Sequence, residues 1–361
     1  MPTALYFRAM TVLFIETHSA LGGAQRSLLE LAVALRDCGD SIHVATPRGA
    51  LFDALRAKKI STHEFFEIAP GQRLRALLRL PRAICALRAI VKKTRPEILH
   101  ANSIFSGILT RLANSKIPRV LHIRDLRFNT RLLRFAAKNT RAVIAISQCV
   151  HEKISALKIK STLVQNGIDL SQYNGVRASS PCGCATRIAM VAQWAAWKRH
   201  DIFIRMAPLL REEFPGAKFF IAPGDSGNDP RYEKSMRALA AKHNVEIIPF
   251  IEDIPSFYAT LSLLVHPTAE EPFGRVMYEA LATRVPVVAR RSPSTQHLPQ
   301  HFLVDSDDPQ DFANCAVKIL RDPPEKIDVA SFDIVATAEA CHALYVDLNT
   351  KNTEDTKDTK K

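Results

Sequence analysis

Residues 261–289 have the sequence LSLLVHPTAEEPFGRVMYEALATRVPVVA, and this stretch decides the fold. Apolar runs at 261–266 and 285–289 indicate two buried strands. Between them, Pro272 and Gly274 prevent a continuous helix, so we expect a loop followed by a helix that begins after Gly274. A unit of strand, polar loop, helix and strand places ligands at the carboxyl edge of a parallel sheet. The stretch therefore predicts a sugar- or nucleotide-binding site in a parallel α/β fold.

Two glutamates, Glu271 and Glu279, flank the junction between this loop and the helix. The first is predicted to lie in the loop and the second about a turn and a half into the helix. Both carboxylates can then face one pocket. The alternative is that Glu271 is an ordinary loop charge and Glu279 a solvated helix residue. The complete string around them favours the pocket.

The length of 361 residues, with 47% hydrophobic and 24% charged residues, allows substantial cores and exceeds one typical domain. Strand patterns alternate with helical ones in both halves, which predicts two doubly wound parallel sheets. The strand patterns lie at 11–16, 41–45, 96–100, 119–123 and 142–147 in the first half and at 187–191, 218–222 and 245–250 in the second. Ligands of such paired domains are expected in the cleft between them.

We place the two domains at residues 1–175 and 176–330. The linker between them is predicted near residues 170–186, where Ser, Gly, Pro and Cys are frequent. Residues 331–348 have helical spacing. Residues 349–361 are polar and lack apolar side chains, which predicts a disordered tail.

The formal net charge of +13 is concentrated in the first half. Residues 1–180 contain 28 Lys and Arg against 11 Asp and Glu, whereas residues 181–361 contain 21 against 25. This asymmetry indicates an anionic partner for the first half, either a membrane surface or a nucleic acid. The basic residues are not interleaved with aromatic stacking residues, so nucleic-acid binding ranks last and no nucleic-acid partner is expected.

One basic segment, residues 72–93, contains no acidic residue. Its apolar residues recur at helical spacing, and Pro81 is predicted to divide it into two short helices. A basic amphipathic surface of this kind can bind an anionic membrane. The other interpretation is that the apolar face packs on the sheet and the basic side chains are only solvated. Both interpretations hold if they concern different faces.

The chain contains no run of about 18 apolar residues, and its first 20 residues do not resemble a secretory signal. We therefore expect a cytoplasmic protein that can lie peripherally on the inner face of the membrane. The seven cysteines are scattered and odd in number, which argues against a disulfide framework. Cys182 and Cys184 are too few for a zinc site, so a flexible linker is predicted around them.

A second candidate site follows the first strand, at residues 18–25, HSALGGAQ. Gly22 and Gly23 allow a tight turn that points free N–H groups of the next helix at an anion, and the helix dipole adds to the attraction. The pattern predicts a phosphate-binding turn. Glycine pairs also occur in ordinary turns, so the pair by itself is a weak signal.

The string around the two glutamates resembles the signature of glycosyltransferase family 4, a group of retaining enzymes with the GT-B fold. The resemblance extends from Gly22 to Leu348 and implies two Rossmann-like domains that face an interdomain cleft. It implies transfer of a sugar from a nucleoside-diphosphate sugar, held by the second domain, to a hydroxyl of a saccharide or lipid-linked acceptor, held by the first. No metal or other cofactor is implied. The helix at 331–348 would return to the first domain, and the basic first half favours a lipopolysaccharide or other cell-surface polysaccharide pathway.

The same resemblance assigns the donor-binding residues. Glu271 would meet hydroxyls of the donor sugar and Glu279 the ribose of the nucleotide. Backbone amides around Phe273 and Gly274 would bind the sugar, because a glycine lets the ligand approach the main chain. Gly23 would lie against the diphosphate.

The resemblance also counts Glu271 among the catalytic residues, and three further residues match positions that act in catalysis in the family. Gln193 and Lys198 have the spacing of a strand-loop motif in which the lysine neutralises the leaving diphosphate. His122 follows a strand, where family members often carry a histidine that contacts the donor sugar. A lone histidine after an apolar strand is otherwise more often structural.

The sequence departs from the family in one region. Arg284 replaces a glycine, and the run that begins with Arg290 and Arg291 replaces a Gly-Gly pair that receives the diphosphate. Either arginine could bind phosphate in place of the backbone and offset the neutral Gln193. The departures leave open a non-catalytic protein that binds nucleotide sugars. A sugar-nucleotide epimerase shares the fold, but the acidic string favours transfer.

Overall fold

The computed structural model describes residues 8–67, 73–113, 116–176, 186–224, 229–324 and 327–358. The chain forms two compact units. Unit 1 comprises Met1–Gly167 and Ile334–Lys361, and unit 2 comprises Ile168–Asp333. The change of unit thus precedes the predicted boundary at 175–176, because the Ile168 N–H donates to the Phe332 carbonyl and Ile168 pairs with Asp333. The predicted linker lies partly outside the described residues.

Strands and helices alternate along the first part of the chain. They are β1 Thr11–Ile15, α1 Gly23–Asp37, β2 Ser41–Thr46, α2 Ala50–Ala57, β3 Ser61–Glu64, α3 Arg73–Thr94, β4 Ile98–Ala101, α4 Ile104–Leu112, β5 Arg119–Ile123, α5 Thr130–Ala137, β6 Ala142–Ala145, α6 Gln148–Ser155 and β7 Thr162–Leu163.

The alternation continues in the second part, which opens with a 3₁₀ helix at Leu170–Tyr173. The elements that follow are β8 Arg187–Val191, a 3₁₀ helix Ala196–Lys198, α7 His200–Glu213, β9 Lys218–Ala222, α8 Pro230–Lys242, β10 Glu246–Ile247, α9 Ile254–Ala259, β11 Leu263–His266, α10 Arg275–Ala282, β12 Val287–Arg290, β13 Leu303–Val304, α11 Pro309–Arg321 and α12 Ile334–Asp358.

Each unit contains one parallel sheet. The order is β3-β2-β1-β4-β5-β6-β7 in unit 1 and β10-β9-β8-β11-β12-β13 in unit 2. All paired strands in both sheets run parallel. In each sheet the strand order reverses beside the first strand of the unit, and ligands of such folds bind at this point. The predicted fold class, two doubly wound Rossmann-like domains of the GT-B type, is confirmed.

The central strand β1 is buried on both faces, which explains its uninterrupted apolar sequence. Val12 and Phe14 belong to a core cluster that includes residues of α1 and α12. Leu13 and Ile15 belong to a second cluster, with residues of α3 and α4. Successive side chains of a strand point to opposite faces, so the sheet of unit 1 lies between two helical layers.

Helix α12 returns to unit 1 and extends beyond its predicted end at residue 348. Ala338, Cys341 and Tyr345 are fully buried in the same cluster as Phe14. The side chain of Asn349 is buried and donates to Glu97 Oε1 at 2.8 Å, which holds the following turn against the unit. The described part of the predicted disordered tail is therefore helical as far as Asp358, and residues 359–361 lie outside the described residues.

Helix α3 is continuous through Pro81, so the prediction of two short helices was wrong. A proline removes one helical hydrogen bond, at a cost of about 3 kcal/mol. Burial offsets this cost, because Ala83 and Leu87 are fully buried against the sheet. The basic side chains beyond the first turns of the helix are exposed, namely Arg79, Arg82, Arg88, Lys92 and Lys93. The apolar face thus packs on the sheet, and residues 68–72 lie outside the described residues.

None of the helices in the described ranges is both long enough and apolar enough to cross a membrane.

Candidate active site

A buried ion pair joins two loops at the carboxyl edge of the unit 2 sheet. Lys198 ends the 3₁₀ helix that follows β8, and Glu271 lies in the loop after β11. These strands are neighbours, with Ile188 opposite Leu263, so their following loops meet at one edge. Lys198 Nζ donates to Glu271 Oε2 at 2.5 Å, and the two side chains are 13% and 10% exposed. The structure therefore brings together two residues that the sequence placed in one site.

The surroundings of the pair determine the protonation state of Glu271. Burial alone would raise the pKa of the Glu271 carboxyl, but the Lys198 charge and the neighbouring His266 lower it to about 2. His266 Nε2 lies 3.3 Å from Glu271 Oε2. The Lys198 ammonium also lies 4.0 Å from the ring centroid of Trp197, a distance at which a cation is attracted to the aromatic face. Glu271 is thus a carboxylate at neutral pH.

Gly274 lies between the ion pair and α10 in a conformation that favours glycine. Its φ is 78°, and it caps the N-terminus of α10. A methyl group on its Cα would overlap the Met277 methyl and lie 3.1 Å from Glu271 Cγ. Phe273 is buried, and its ring stacks on Tyr278 with 4.7 Å between centroids. Within the described part of the chain, the backbone N–H groups of Phe273 and Gly274 donate to no protein group.

Glu279 is buried on α10 and is not the solvated helix residue of the alternative interpretation. It is 6% exposed. Tyr258 donates to its Oε2 at 3.2 Å, and Arg275 donates to its Oε1 at 3.2 Å. Burial raises the pKa of the Tyr258 hydroxyl well above its ordinary value, so this group remains a donor. Glu271 and Glu279 therefore have separate partners.

The other residues predicted for this site have different surroundings. Gln193 is half-buried after β8, and its side chain forms no hydrogen bond with a described residue. Arg290 donates to Asp307 Oδ1 at 2.8 Å, and Arg291 donates to Asp305 Oδ1 at 2.5 Å. Both guanidinium groups are thus already bound to carboxylates.

Arg284 has a structural explanation. Its φ is 64°, the left-handed region in which glycine is most easily accommodated. The Arg284 N–H donates to the Leu281 carbonyl and the Val285 N–H to the Ala280 carbonyl, which is the bonding of a helix C-terminus. The side chain is exposed. A glycine at this position would therefore serve the end of α10.

In unit 1, the N-terminus of α1 follows β1 as predicted. The helix begins at Gly23, and its cap residue Gly22 provides no side-chain hydrogen bond. Apart from its chain neighbours and the backbone of its own helix, no described heavy atom lies within 4 Å of the point that a methyl group on Gly23 would occupy. A ligand can thus approach the Gly23 Cα from that side.

A buried polar network at the same edge was not predicted. Glu16 follows β1, Asn102 follows β4 and Arg124 follows β5. Asn102 donates to Glu16 Oε2 at 2.7 Å and accepts from Arg124 Nε at 2.6 Å. Arg124 also donates to Asn166 Oδ1 at 3.0 Å. The available signal was a polar residue directly after each of three apolar strands.

The acid of this network is charged. Burial would raise the pKa of Glu16, but hydrogen bonds from His18, Asn102 and the Thr17 N–H lower it below its ordinary value. His18 Nδ1 lies 3.1 Å from Glu16 Oε1, and this hydrogen bond raises the pKa of His18. The two residues therefore form a buried ion pair when His18 is protonated.

His122 ends β5 and is fully buried. Its Nδ1 lies 3.0 Å from His100 Nε2 and 3.2 Å from Arg124 Nη2. Burial, followed by the Arg124 charge, holds the pKa of His122 well below its ordinary value. The side chain is therefore neutral at pH 7.

Among the described residues, no group of three or more His, Cys, Asp or Glu side chains is arranged to hold a metal ion.

Two family models match successive parts of the chain. A model described as Glycosyltransferase Family 4 matches residues 21–172, and one described as Glycosyl transferases group 1 matches residues 185–322. Together they span most of both units.

Curated relatives are similar over different shares of the chain. A UDP-Gal:alpha-D-GlcNAc-diphosphoundecaprenol alpha-1,3-galactosyltransferase of Escherichia coli is 23% identical over 91% of this chain and 94% of the relative. A D-inositol 3-phosphate glycosyltransferase of Corynebacterium urealyticum is 27% identical over 54% of this chain. That match spans only 50% of the relative's own length.

Among solved structures, HepE of Anabaena in complex with UDP and glucose has a TM-score of 0.73. The two chains are 21% identical, and the match covers 96% of this chain and 99% of HepE. This similarity supports the same fold.

Proposed function

Because the chain belongs to glycosyltransferase family 4, we propose that it transfers a sugar from a nucleoside-diphosphate sugar to a hydroxyl of a saccharide or lipid-linked acceptor. The transfer would retain the configuration of the anomeric carbon and require no metal. The observation that carries this proposal is the buried pair of Lys198 and Glu271. A cation and a carboxylate are held at the sheet edge where ligands of α/β folds bind.

Lys198 would neutralise the leaving diphosphate. An ammonium group has three N–H donors, and within the described residues Nζ donates only to Glu271. The remaining donors are available to phosphate oxygens. A positioned donor of this kind typically lowers a barrier by about 2.7 to 4 kcal/mol. In this proposal Glu271 holds the Lys198 ammonium group in place, and it also accepts from the sugar hydroxyls.

Glu279 would bind the ribose of the nucleotide, while the amides of Phe273 and Gly274 would bind the sugar. The free N–H groups and the left-handed Gly274 support this assignment, because they let a ligand approach the main chain. Ribose hydroxyls can donate to a carboxylate that is already oriented by Arg275 and Tyr258.

Unit 1 would bind the acceptor and approach the diphosphate through Gly23. The Glu16 network supports an acceptor role, because its oriented carboxylate, amides and guanidinium group are suited to binding hydroxyls. The departing phosphate would help to deprotonate the acceptor hydroxyl, so no protein nucleophile is needed. Catalysis would rest on positioning and on neutralisation of phosphate charge.

A cell-surface polysaccharide or lipopolysaccharide-type acceptor is our preferred substrate class. The name of the Escherichia coli relative describes an acceptor linked to diphosphoundecaprenol. The excess of basic residues in the first half of the chain suits such an anionic lipid-linked molecule.

One observation favours the alternative of binding without turnover. Arg290 and Arg291 replace the family's Gly-Gly pair, and both are occupied by carboxylates. If these arginines serve the donor phosphates, they would do so through the N–H groups that Asp307 and Asp305 leave unused, or after these carboxylates release them. A protein that binds a nucleotide sugar but transfers it to no acceptor would support this alternative.

The first experiment is calorimetric titration of UDP, GDP and ADP into the wild type and Glu279→Gln. The exposed neighbour provides a matched control, Glu270→Gln. We expect one nucleotide to bind, with an affinity at least tenfold lower in Glu279→Gln and unchanged in Glu270→Gln, because loss of one charged hydrogen bond costs about 1.5–3 kcal/mol. Absence of binding of all three nucleotides to folded protein would refute the donor site.

Transfer itself is tested with the sugar nucleotides of the base that binds. The product anomer, identified by NMR, should match the donor anomer, and chelation by EDTA should leave the rate unchanged. An inverted product, or a rate abolished by EDTA and restored by a divalent cation, would contradict the proposed reaction.

We also propose peripheral binding of unit 1 to an anionic membrane. The exposed basic side chains of α3 support electrostatic contact, although its apolar face is occupied by the sheet. Helix α5 adds apolar contact, because Leu132 and Phe135 are 48% and 39% exposed. Arg131 and Arg134 beside them are also exposed. Each basic residue near such a surface contributes roughly 1 kcal/mol.

Co-sedimentation with phosphatidylcholine vesicles, with and without phosphatidylglycerol, tests this contact. Binding should require phosphatidylglycerol and decrease in Arg131→Glu/Arg134→Glu and in Leu132→Ser/Phe135→Ser. Lys242→Glu, an exposed change in unit 2, should bind as the wild type does. Equal binding by all variants would exclude α5 as the membrane contact.

A further inference from the structure

A chain of buried hydrogen bonds connects α12 to the end of β5 within unit 1. The Tyr345 hydroxyl oxygen lies 2.6 Å from His100 Nδ1. His100 Nε2 lies 3.0 Å from His122 Nδ1, and Arg124 Nη2 lies 3.2 Å from the same nitrogen. Tyr345, His100 and His122 are each fully buried. The functional assignments made from the sequence used only His122.

The donor and the acceptor of every hydrogen bond in this series follow from Arg124. A guanidinium group can only donate, so His122 Nδ1 must accept. A neutral imidazole carries one proton, which in His122 must then be on Nε2. Because His122 Nδ1 accepts, His100 Nε2 must donate, and His100 Nδ1 is left as an acceptor. Tyr345 therefore donates its hydroxyl proton to His100.

The protonation states agree with this geometry. Burial and the Arg124 charge hold the pKa of His100 well below its ordinary value, as they do for His122. Burial raises the pKa of the Tyr345 hydroxyl well above its ordinary value. At pH 7 the two imidazoles are thus neutral and the tyrosine is protonated.

The donor at the His122 end of this hydrogen-bonded series has no acceptor in the part of the chain that the structure describes. His122 Nε2 is buried and has no hydrogen-bond partner among the described residues. Leaving a buried N–H without a partner typically costs about 1–3 kcal/mol. Such a group is expected to bind an oxygen supplied from outside the protein chain.

We propose that Arg124, His100 and Tyr345 are positioning residues that fix His122 as its Nε2–H tautomer, so that His122 donates a hydrogen bond to an oxygen of the sugar substrate. The identity of this ligand rests on the proposed function. With its Nδ1 occupied by two donors and its Nε2 protonated, His122 has no free lone pair to accept a proton. Its role is that of a donor, and it does not act as the base for the acceptor hydroxyl.

The tautomer can be measured directly in the intact protein. Long-range ¹H–¹⁵N correlation spectra of protein labelled at histidine distinguish protonated from unprotonated ring nitrogens, and His122→Gln and His100→Gln assign the two signals. We expect Nε2 protonated and Nδ1 unprotonated in both residues at pH 7. A proton on His122 Nδ1, or a doubly protonated ring, in the wild-type protein overturns the inference.

Variants test which group donates in each of these hydrogen bonds. Arg124→Met should produce a mixture of the two His122 tautomers, whereas Arg124→Lys retains a donor and should preserve Nε2–H. If Arg124→Met does not fold, Tyr345→Phe provides the second test. It should change the ¹⁵N shift of His100 Nδ1 and lower kcat about fivefold with KM little changed, as expected for loss of one neutral hydrogen bond. An unchanged His100 Nδ1 shift would show that Tyr345 is not its donor.

The same spectra separate this inference from the proposed function. A sugar nucleotide that binds by calorimetry should shift the His122 Nε2–H signal. If it binds and the signal is unchanged, the inferred contact is wrong while the donor site stands. If no sugar nucleotide binds but His122 remains the Nε2–H tautomer, the proposed function fails and the assigned tautomer stands.

Discussion

The substitution Lys198→Met removes the ammonium group that faces Glu271 and keeps most of the aliphatic chain. In the wild type, burial raises the pKa of Glu271, and the charge of Lys198 with the His266 contact more than reverses this, from 4.5 to about 2. A pKa difference of about two and a half units, at about 1.4 kcal/mol each, corresponds to about 3–4 kcal/mol of stability. We therefore expect Lys198→Met to destabilise unit 2 by about 3–4 kcal/mol at pH 7.

The loss should depend on pH with a definite sign. A carboxyl whose pKa is lowered in the folded state stabilises the protein above its unfolded pKa, and this stability is lost as the pH falls from 4.5 towards 2. In the variant, burial acts without the cation, so the pKa of Glu271 should rise and the carboxyl should contribute less to stability at pH 7. The difference between wild type and variant should therefore be smaller at pH 4 than at pH 7.

Urea unfolding followed by tryptophan fluorescence measures this difference in the relevant unit. Both tryptophans of the chain, Trp194 and Trp197, belong to unit 2. Two controls accompany the variant. Lys198→Met/Glu271→Gln removes the whole pair and should recover part of the loss, and Arg321→Met removes an exposed pair and should cost less than about 1 kcal/mol. A loss that is equal at pH 7 and pH 4 would refute the electrostatic reasoning.

Three further predictions concern packing. Gly274→Ala should destabilise unit 2 by about 1–3 kcal/mol, because the new methyl group has an unfavourable φ and overlaps Met277, and an unchanged urea midpoint would contradict this. Asp40→Ala removes the acceptor 2.9 Å from His342 Nδ1, so hydrogen exchange of the α12 amides should accelerate; equal rates in both proteins would show that the contact does not hold the helix. Burial raises the pKa of the Cys341 thiol to about 12, so mass spectrometry should find it unalkylated by iodoacetamide at pH 8 until urea unfolds the protein, and rapid labelling of native protein would disprove its burial.

The central strands were predictable because both of their faces are buried. The predicted ranges 119–123, 187–191 and 218–222 coincide with β5, β8 and β9. Their largely apolar sequences follow from the burial of both faces of each strand. The strands β3 and β7 were not predicted. They are the two edge strands of the unit 1 sheet, and every one of their residues is at least partly exposed. Such strands carry no apolar pattern.

The site was predictable where its residues are close in sequence or match the sequence motif of the family. Glu271 and Glu279 stand on one loop and the helix that follows it. The bond between Asn102 and Glu16 joins residues 86 positions apart, and it depends on β4 being placed beside β1. That neighbour relation skips β2 and β3. Local sequence patterns could identify the polar residue at the end of each strand. They could not predict which of these residues would contact each other.

The order of the two units along the chain has a consequence for biosynthesis. Unit 2 is one continuous segment whose first and last residues, Ile168 and Asp333, pair with each other. Unit 1 is interrupted by it, and α12 covers one face of its sheet together with α1. A ribosome makes residues 8–167 first, yet the part of that face that α12 covers stays open until residues 334–358 emerge. Unit 2 can therefore complete its fold before unit 1, although its synthesis begins later. A chaperone that shields apolar surface would act on the uncovered part of unit 1 during that interval.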